Sequence, residues 1–82
     1  MLYTLKPHAR MRMRERKITE RIIKDALDNP TKIEYDAKSR VLFKKLYHSN
    51  GRERLLLIVG ERRGDVTEII TIIDTTKVKK YL

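Results

Sequence analysis

The run Leu55–Val59 is the longest apolar stretch in the chain. It falls far short of the ~20 residues a membrane-spanning helix needs. Because every position is apolar, a strand built from it is apolar on both faces. Such a strand belongs at the centre of a sheet, covered on at least one side by helices. The turn signal Asn50–Gly51 precedes it, and both residues accept the positive φ of a two-residue hairpin. The other arm of that hairpin is Arg40–His48, with Val41, Phe43 and Tyr47 in alternation. Lys44–Lys45 interrupts the alternation and predicts a β-bulge. Beyond the central run, Arg63–Gly64–Asp65 forms a second turn and Val66–Asp74, rich in Ile and Thr, a last long strand. Lys32–Tyr35 is a short strand closed by a turn around Asp36–Ser39. Thr75–Leu82 reads as a helical turn or a short edge strand.

Two helices are expected before these strands. In Lys6–Arg16, Pro7 suits the first turn, where its missing N–H costs nothing. Leu5, Ala9 and Met13 recur at i, i+4 and give an apolar stripe. Glu20–Leu27 follows, with Thr19 as N-cap. Ile18 and Ile23 stand at the N′ and N4 positions of a hydrophobic staple. Asn29–Pro30 ends this helix, since a proline disfavours the helical conformation of the residue before it. Helices grouped ahead of strands indicate an α+β fold: two N-terminal helices packed on one face of an antiparallel three- to four-stranded meander.

At 82 residues the expectation is a single domain over 1–82. A chain of this size buries a modest core, and a homodimer is one way to add burial. No membrane association is expected, and Met1–Met13 lacks the apolar core of a secretory signal, which points to the cytoplasm. There is no Cys, which removes disulfide frameworks, thiol chemistry and thiolate zinc sites. His8 and His48 stand far apart in sequence, and only three Gly occur. Metal-hydrolase spacings, glycine-rich phosphate loops and nucleophile elbows are therefore missing. No cofactor is expected.

What remains is charge. Twenty Lys and Arg face eleven Asp and Glu, for a net +9, and such an excess is the footprint of a polyanion binder. RNA or another nucleic acid is the expected partner. The candidate binding residues are Lys44, Lys45, Arg52, Arg54, Arg62, Arg63 and Lys77. Tyr35, Tyr47 and Tyr81 have rings able to stack on unpaired bases, although Tyr47 also fits the core. The sharpest feature is His8–Arg12–Arg16, in line at i, i+4, i+8. Like cations in line repel by a few tenths of a kcal/mol per pair, about what an i,i+4 pair is worth, and a bound phosphate relieves that cost. The same relief would come from carboxylates of the sheet, such as Glu53, Glu61 or Glu68.

The run His8–Ala9–x–x–Arg12–Met13–x–x–Arg16–x–Ile18–Thr19, followed by Asn29–Pro30, Leu55–Val59, the Gly64 turn and Ile69–Ile73, resembles the prokaryotic domain-of-unknown-function 4258 family. That family in turn looks like a relative of BrnT- and RelE-type toxins, whose helices pack on an antiparallel sheet beside a basic cleft. The resemblance implies a metal-independent ribonuclease, a toxin held in check by an antitoxin protein. The RNA 2′-hydroxyl would attack its own phosphate while a base takes its proton and cations stabilise the added charge. On that model His8 is a general acid or base, Arg12 and Arg16 hold the phosphate, and Tyr81 or Lys77 assists from the tail. Asp74 stands where BrnT-type toxins carry a basic residue, and a carboxylate there repels phosphate. Two other classes fit the residues: a non-catalytic nucleic-acid-binding module, and a structural or regulatory domain that acts through protein contacts.

Overall fold

The computed structural model describes residues 1–36 and 38–82. The elements run β1 (Leu2–Leu5), α1 (Pro7–Arg16), α2 (Glu20–Asp28), β2 (Lys32–Tyr35), β3 (Arg40–Ser49), β4 (Arg52–Arg63), β5 (Val66–Thr75) and α3 (Val78–Tyr81). The fold is α+β, with one sheet in the order β1-β5-β4-β3-β2. The antiparallel meander β2–β5 is extended by β1, which pairs parallel to β5 from Leu2↔Val66 to Leu5↔Ile69. The sheet is therefore five-stranded and mixed, rather than the three- to four-stranded antiparallel meander expected. The reason is local: β1 has four residues, only Tyr3 and Leu5 are even half-buried, and Pro7 follows at once. So short a segment carries no periodicity of its own, and its pairing is decided by the distant β5 edge.

The helices form as their sequences dictate. Pro7 opens α1, and Lys17, at φ 54°, closes it in the left-handed conformation. The Ile18 N–H donates to the Met13 carbonyl at 2.9 Å and the Lys17 N–H to that of Arg14 at 3.3 Å. Those two bonds, with Met13 and Ile18 both buried, make a Schellman ending. Thr19 Oγ1 then accepts from the Ile22 N–H at 3.3 Å and caps α2. Ile18 and Ile23, both buried, form the staple across that cap. Helix α1 packs against β5 and β1, and α2 against β3. The core between helices and sheet comprises Ala9, Met13, Ile23, Ala26 and Leu27 below Val41, Phe43, Leu56, Ile58, Ile69 and Ile72.

The hairpin expected at Asn50–Gly51 is present, with φ 53° and 75° at its two central residues. It fixes a β3–β4 register that runs unbroken from Arg40↔Glu61 to Ser49↔Arg52. No bulge occurs at Lys44–Lys45. Side chains alternate across the sheet, so Lys45 joins the helix-covered face and Lys44 the outer face, and each finds a carboxylate on its own side. Lys45 Nζ lies 3.4 Å from Asp25 and 2.6 Å from the Asn29 carbonyl. Lys44 is buried and paired with Glu34. The register shift lies instead between β4 and β5, at Val59/Gly60. A Cβ on Gly60 would stand 2.8 Å from the Thr67 methyl, so close packing of the two strands requires glycine there. The predicted Asp36–Ser39 turn includes Ala37, which lies outside the described residues. Helix α3 packs against β4, and Lys32 Nζ reaches the Leu82 carbonyl at 3.2 Å. Register places Lys32 on the outer face with Lys44, so the C-terminal turn lies on the side opposite α1 and α2. No helix among the described residues is long and apolar enough to cross a membrane.

Candidate nucleic-acid interface

Where the C-terminal end of α1 meets the β3–β4 hairpin, the surface sinks into a depression of about 610 Å³. Its cations are Arg16 and Lys17 from α1 and its cap, and Arg52 and Arg54 from β4; its carboxylates are Glu15 and Asp74. Tyr47, Ser49 and Asn50 supply further polar groups. The Schellman ending presents Arg16 and Lys17 here, since the chain reverses at Lys17. The tight Asn50–Gly51 turn brings Arg52 back beside them.

Asp74 is not an open negative charge. Arg54 Nε lies 3.1 Å from each of its oxygens, and Arg54 Nη2 lies 2.9 Å from Oδ2. The Tyr47 hydroxyl donates to Oδ1 at 2.6 Å. Burial, then the bond to Asp74 and its charge, push the Tyr47 hydroxyl up to about 12. Tyr47 thus stays a proton donor across the physiological range. In return the Asp74 carboxylate holds Arg54 above its ordinary value. The repulsion a carboxylate at Asp74 would exert on phosphate is cancelled within this triad. Arg16, Lys17 and Arg52 form no ion pair among the described residues.

The predicted residues distribute unevenly around this site. Arg16 lines it. Arg12 and His8 continue back along α1, and eight residues of helix place His8 about 12 Å from Arg16 along the axis. No carboxylate of the sheet is paired with Arg12 among the described residues. Arg52 and Arg54 line the depression. Lys44 and Lys45 are tied to Glu34 and Asp25. Arg63 pairs with Glu61 at 3.6 Å and with Glu68 at 3.3 Å. Arg62, whose backbone N–H donates to the Ser39 carbonyl at 3.3 Å, is exposed at the far end of β4. Lys77 and Tyr81 belong to the α3 region on the outer face, and Lys80 Nζ lies 5.3 Å from the Tyr81 ring centre.

Sequence reasoning did not single out Glu15, Lys17, Ser49 or Asn50 as site residues. It gave Tyr47 both a stacking and a core role, and Tyr47 packs against the core while lining the depression. One signal was available: counting outward from the Asn50–Gly51 turn pairs Tyr47 with Arg54. That Asp74 joins them depends on β4–β5 register, which the strand pattern alone leaves open.

A family model described as a domain of unknown function (DUF4258) matches residues 5–79. No curated protein matches the chain, and no solved structure matches it.

Proposed function

The chain belongs to the DUF4258 family, and from that premise and the geometry above we propose that it binds single-stranded RNA through the depression at the end of α1. The observation that carries this reading is the convergence of Arg16, Lys17 and Arg52, none with a carboxylate partner among the described residues, beside an Arg54 already neutralised by Asp74. Cations that the fold does not use internally are free for phosphate, and their binding releases counterions. Arg12 and His8 continue the line for the neighbouring part of the strand. The test is an NMR titration with a short single-stranded RNA. The amides of Arg16, Lys17, Ser49 and Arg52 are expected to shift first, and shifts confined to Lys77–Tyr81 or Arg62–Arg63 would overturn this reading.

A second reading adds cleavage, as the resemblance to BrnT- and RelE-type toxins implies. The feature that favours it is Glu15, which lines the same depression as Arg16. A carboxylate there would take the 2′-hydroxyl proton as that oxygen attacks the adjacent phosphorus, while Arg16 and Lys17 stabilise the charge that builds on the phosphoryl oxygens. The P–O5′ bond would break to leave a 2′,3′-cyclic phosphate and a 5′-hydroxyl that takes the proton back from the carboxylic acid. An antitoxin would then act by covering the depression. RNA should be cut in the presence of EDTA by the wild type, and left whole by Glu15→Gln and Arg16→Ala. Intact RNA with all three would leave the binding reading alone.

A further inference from the structure

The free edge of the sheet at β2 is self-complementary, and we propose that it pairs antiparallel with β2 of a second copy of this chain. All four residues of β2, Lys-Ile-Glu-Tyr, are exposed, including Ile33 at 38% and Tyr35 at 68%. The Asp36 N–H donates to the Arg40 carbonyl at 3.1 Å. In an antiparallel ladder such bonded pairs alternate. Asp36, Glu34 and Lys32 therefore turn their backbone groups toward β3, in register with Arg40, Leu42 and Lys44. Ile33 and Tyr35 turn theirs outward, as an edge does when it can accept another strand.

Three antiparallel registers, centred on Ile33, Glu34 or Tyr35, set outward-facing residues opposite one another, and charge separates them. Centring the dyad on Tyr35 sets Glu34 against Asp36 twice, and centring it on Glu34 sets two like carboxylates face to face between two Lys32–Asp36 pairs. Centring it on Ile33 sets Ile33 against Ile33 of the second copy, with reciprocal N–H to carbonyl bonds. It also sets Lys32 across from Glu34 twice, and opposite charges facing across strands are favourable. Lys32 already acts on Glu34 within one chain: the bond and charge of Lys44, and then the charge of Lys32, hold the Glu34 carboxyl below its ordinary value. Lys44 takes only Oε1 of Glu34. The dyad stands perpendicular to the sheet, so both copies keep their helices on one side of a continuous sheet, in a closed two-fold contact. No β2 residue lines the depression at the β3–β4 hairpin, so association leaves that site open.

Sedimentation velocity over a concentration series tests this. The wild type should move from 9.8 kDa toward twice that mass. Ile33→Pro removes an outward N–H from an edge strand, where proline is tolerated, and should weaken association at least tenfold. Lys32→Glu alone and Glu34→Lys alone each place like charges across the dyad and should run as monomers. Mixed together, the two variants place opposite charges there and should form a heterodimer. Circular dichroism confirms that each variant is folded, and should one fail to fold, the remaining variants still decide. A wild type that stays at 9.8 kDa up to about 1 mM, a concentration at which only contacts weaker than ~4 kcal/mol go undetected, would overturn the proposal. So would a dimer that is indifferent to all of these changes.

Discussion

Two groups of cations lie on neighbouring strands and helices of this protein and have opposite fates. Lys44 and Lys45 are adjacent in β3, yet each is absorbed by the fold, one by Glu34 on the outer face and one by Asp25 and the Asn29 carbonyl on the helix face. Arg16, Lys17 and Arg52 gather at one end of the molecule with no such partner among the described residues. The difference teaches that a basic residue points to a polyanion only after its internal carboxylates have been counted. The first group is paired within the fold; the second, on the function proposed above, is left for a ligand.

The contrast can be broken from either side. The largest effect on stability should come from Asp74→Ala, which strips the partner from Tyr47 and Arg54. Removing one member of a buried pair costs about 3–5 kcal/mol, less where the other member still reaches water as Arg54 does. A loss of about 2–3 kcal/mol in urea unfolding is expected, with RNA affinity unchanged or raised because Arg54 is released. A urea unfolding curve that matches the wild type would separate Asp74 from the fold. Tyr47→Phe, losing one hydrogen bond to a charged group, should cost about 1.5 kcal/mol by the same measurement.

Next in size is an asymmetry at the buried lysine. Glu34→Ala strands Lys44 away from water without a carboxylate, whereas Lys44→Met leaves an exposed carboxylate to be hydrated and fills its own site with apolar volume. The first should lower the melting temperature clearly; the second should stay within about 1 kcal/mol of wild type. Neither should change RNA affinity, and a drop in affinity with Lys44→Met would move Lys44 into the second group.

The smallest effect is in pH. The Tyr47 hydroxyl is raised from 10.0 to about 12 in the fold, so its protonated form is the one the fold favours. The stability it contributes is complete below about 10, the ordinary tyrosine value, and is lost as pH rises from there through about 12. Between those limits wild type should lose stability faster than Tyr47→Phe in parallel unfolding curves. Parallel curves of equal slope would contradict the burial and bonding assigned to Tyr47.

Much of the framework was legible because it depends on local chemistry. Thr19, Ile18 and Ile23 mark the start of α2, and Asn50–Gly51 marks the hairpin. What was not legible depends on distant partners. β1 is too short to signal itself and takes its conformation from β5. The double lysine looked like a bulge because alternation counts only polarity, while carboxylates on both faces make a lysine acceptable at either. Arg16 and Arg54 were visible as candidates from charge. Lys17 was not, because its role comes from reversing the chain at a left-handed residue, and Asp74 read as an obstacle because its pairing with Arg54 spans two strands.

The most direct test of the central claim is the salt dependence of single-stranded RNA affinity, measured by fluorescence anisotropy for the wild type and for Arg16→Ala/Arg52→Ala. Each phosphate contact contributes about −0.7 to the slope of log affinity against log salt. The double variant should remain folded, bind about 100-fold more weakly at low salt, ~1.4 kcal/mol for each tenfold, and show a slope shallower by about 1.4. Equal affinity and equal slope for the two proteins would contradict the assignment of the depression as the phosphate site.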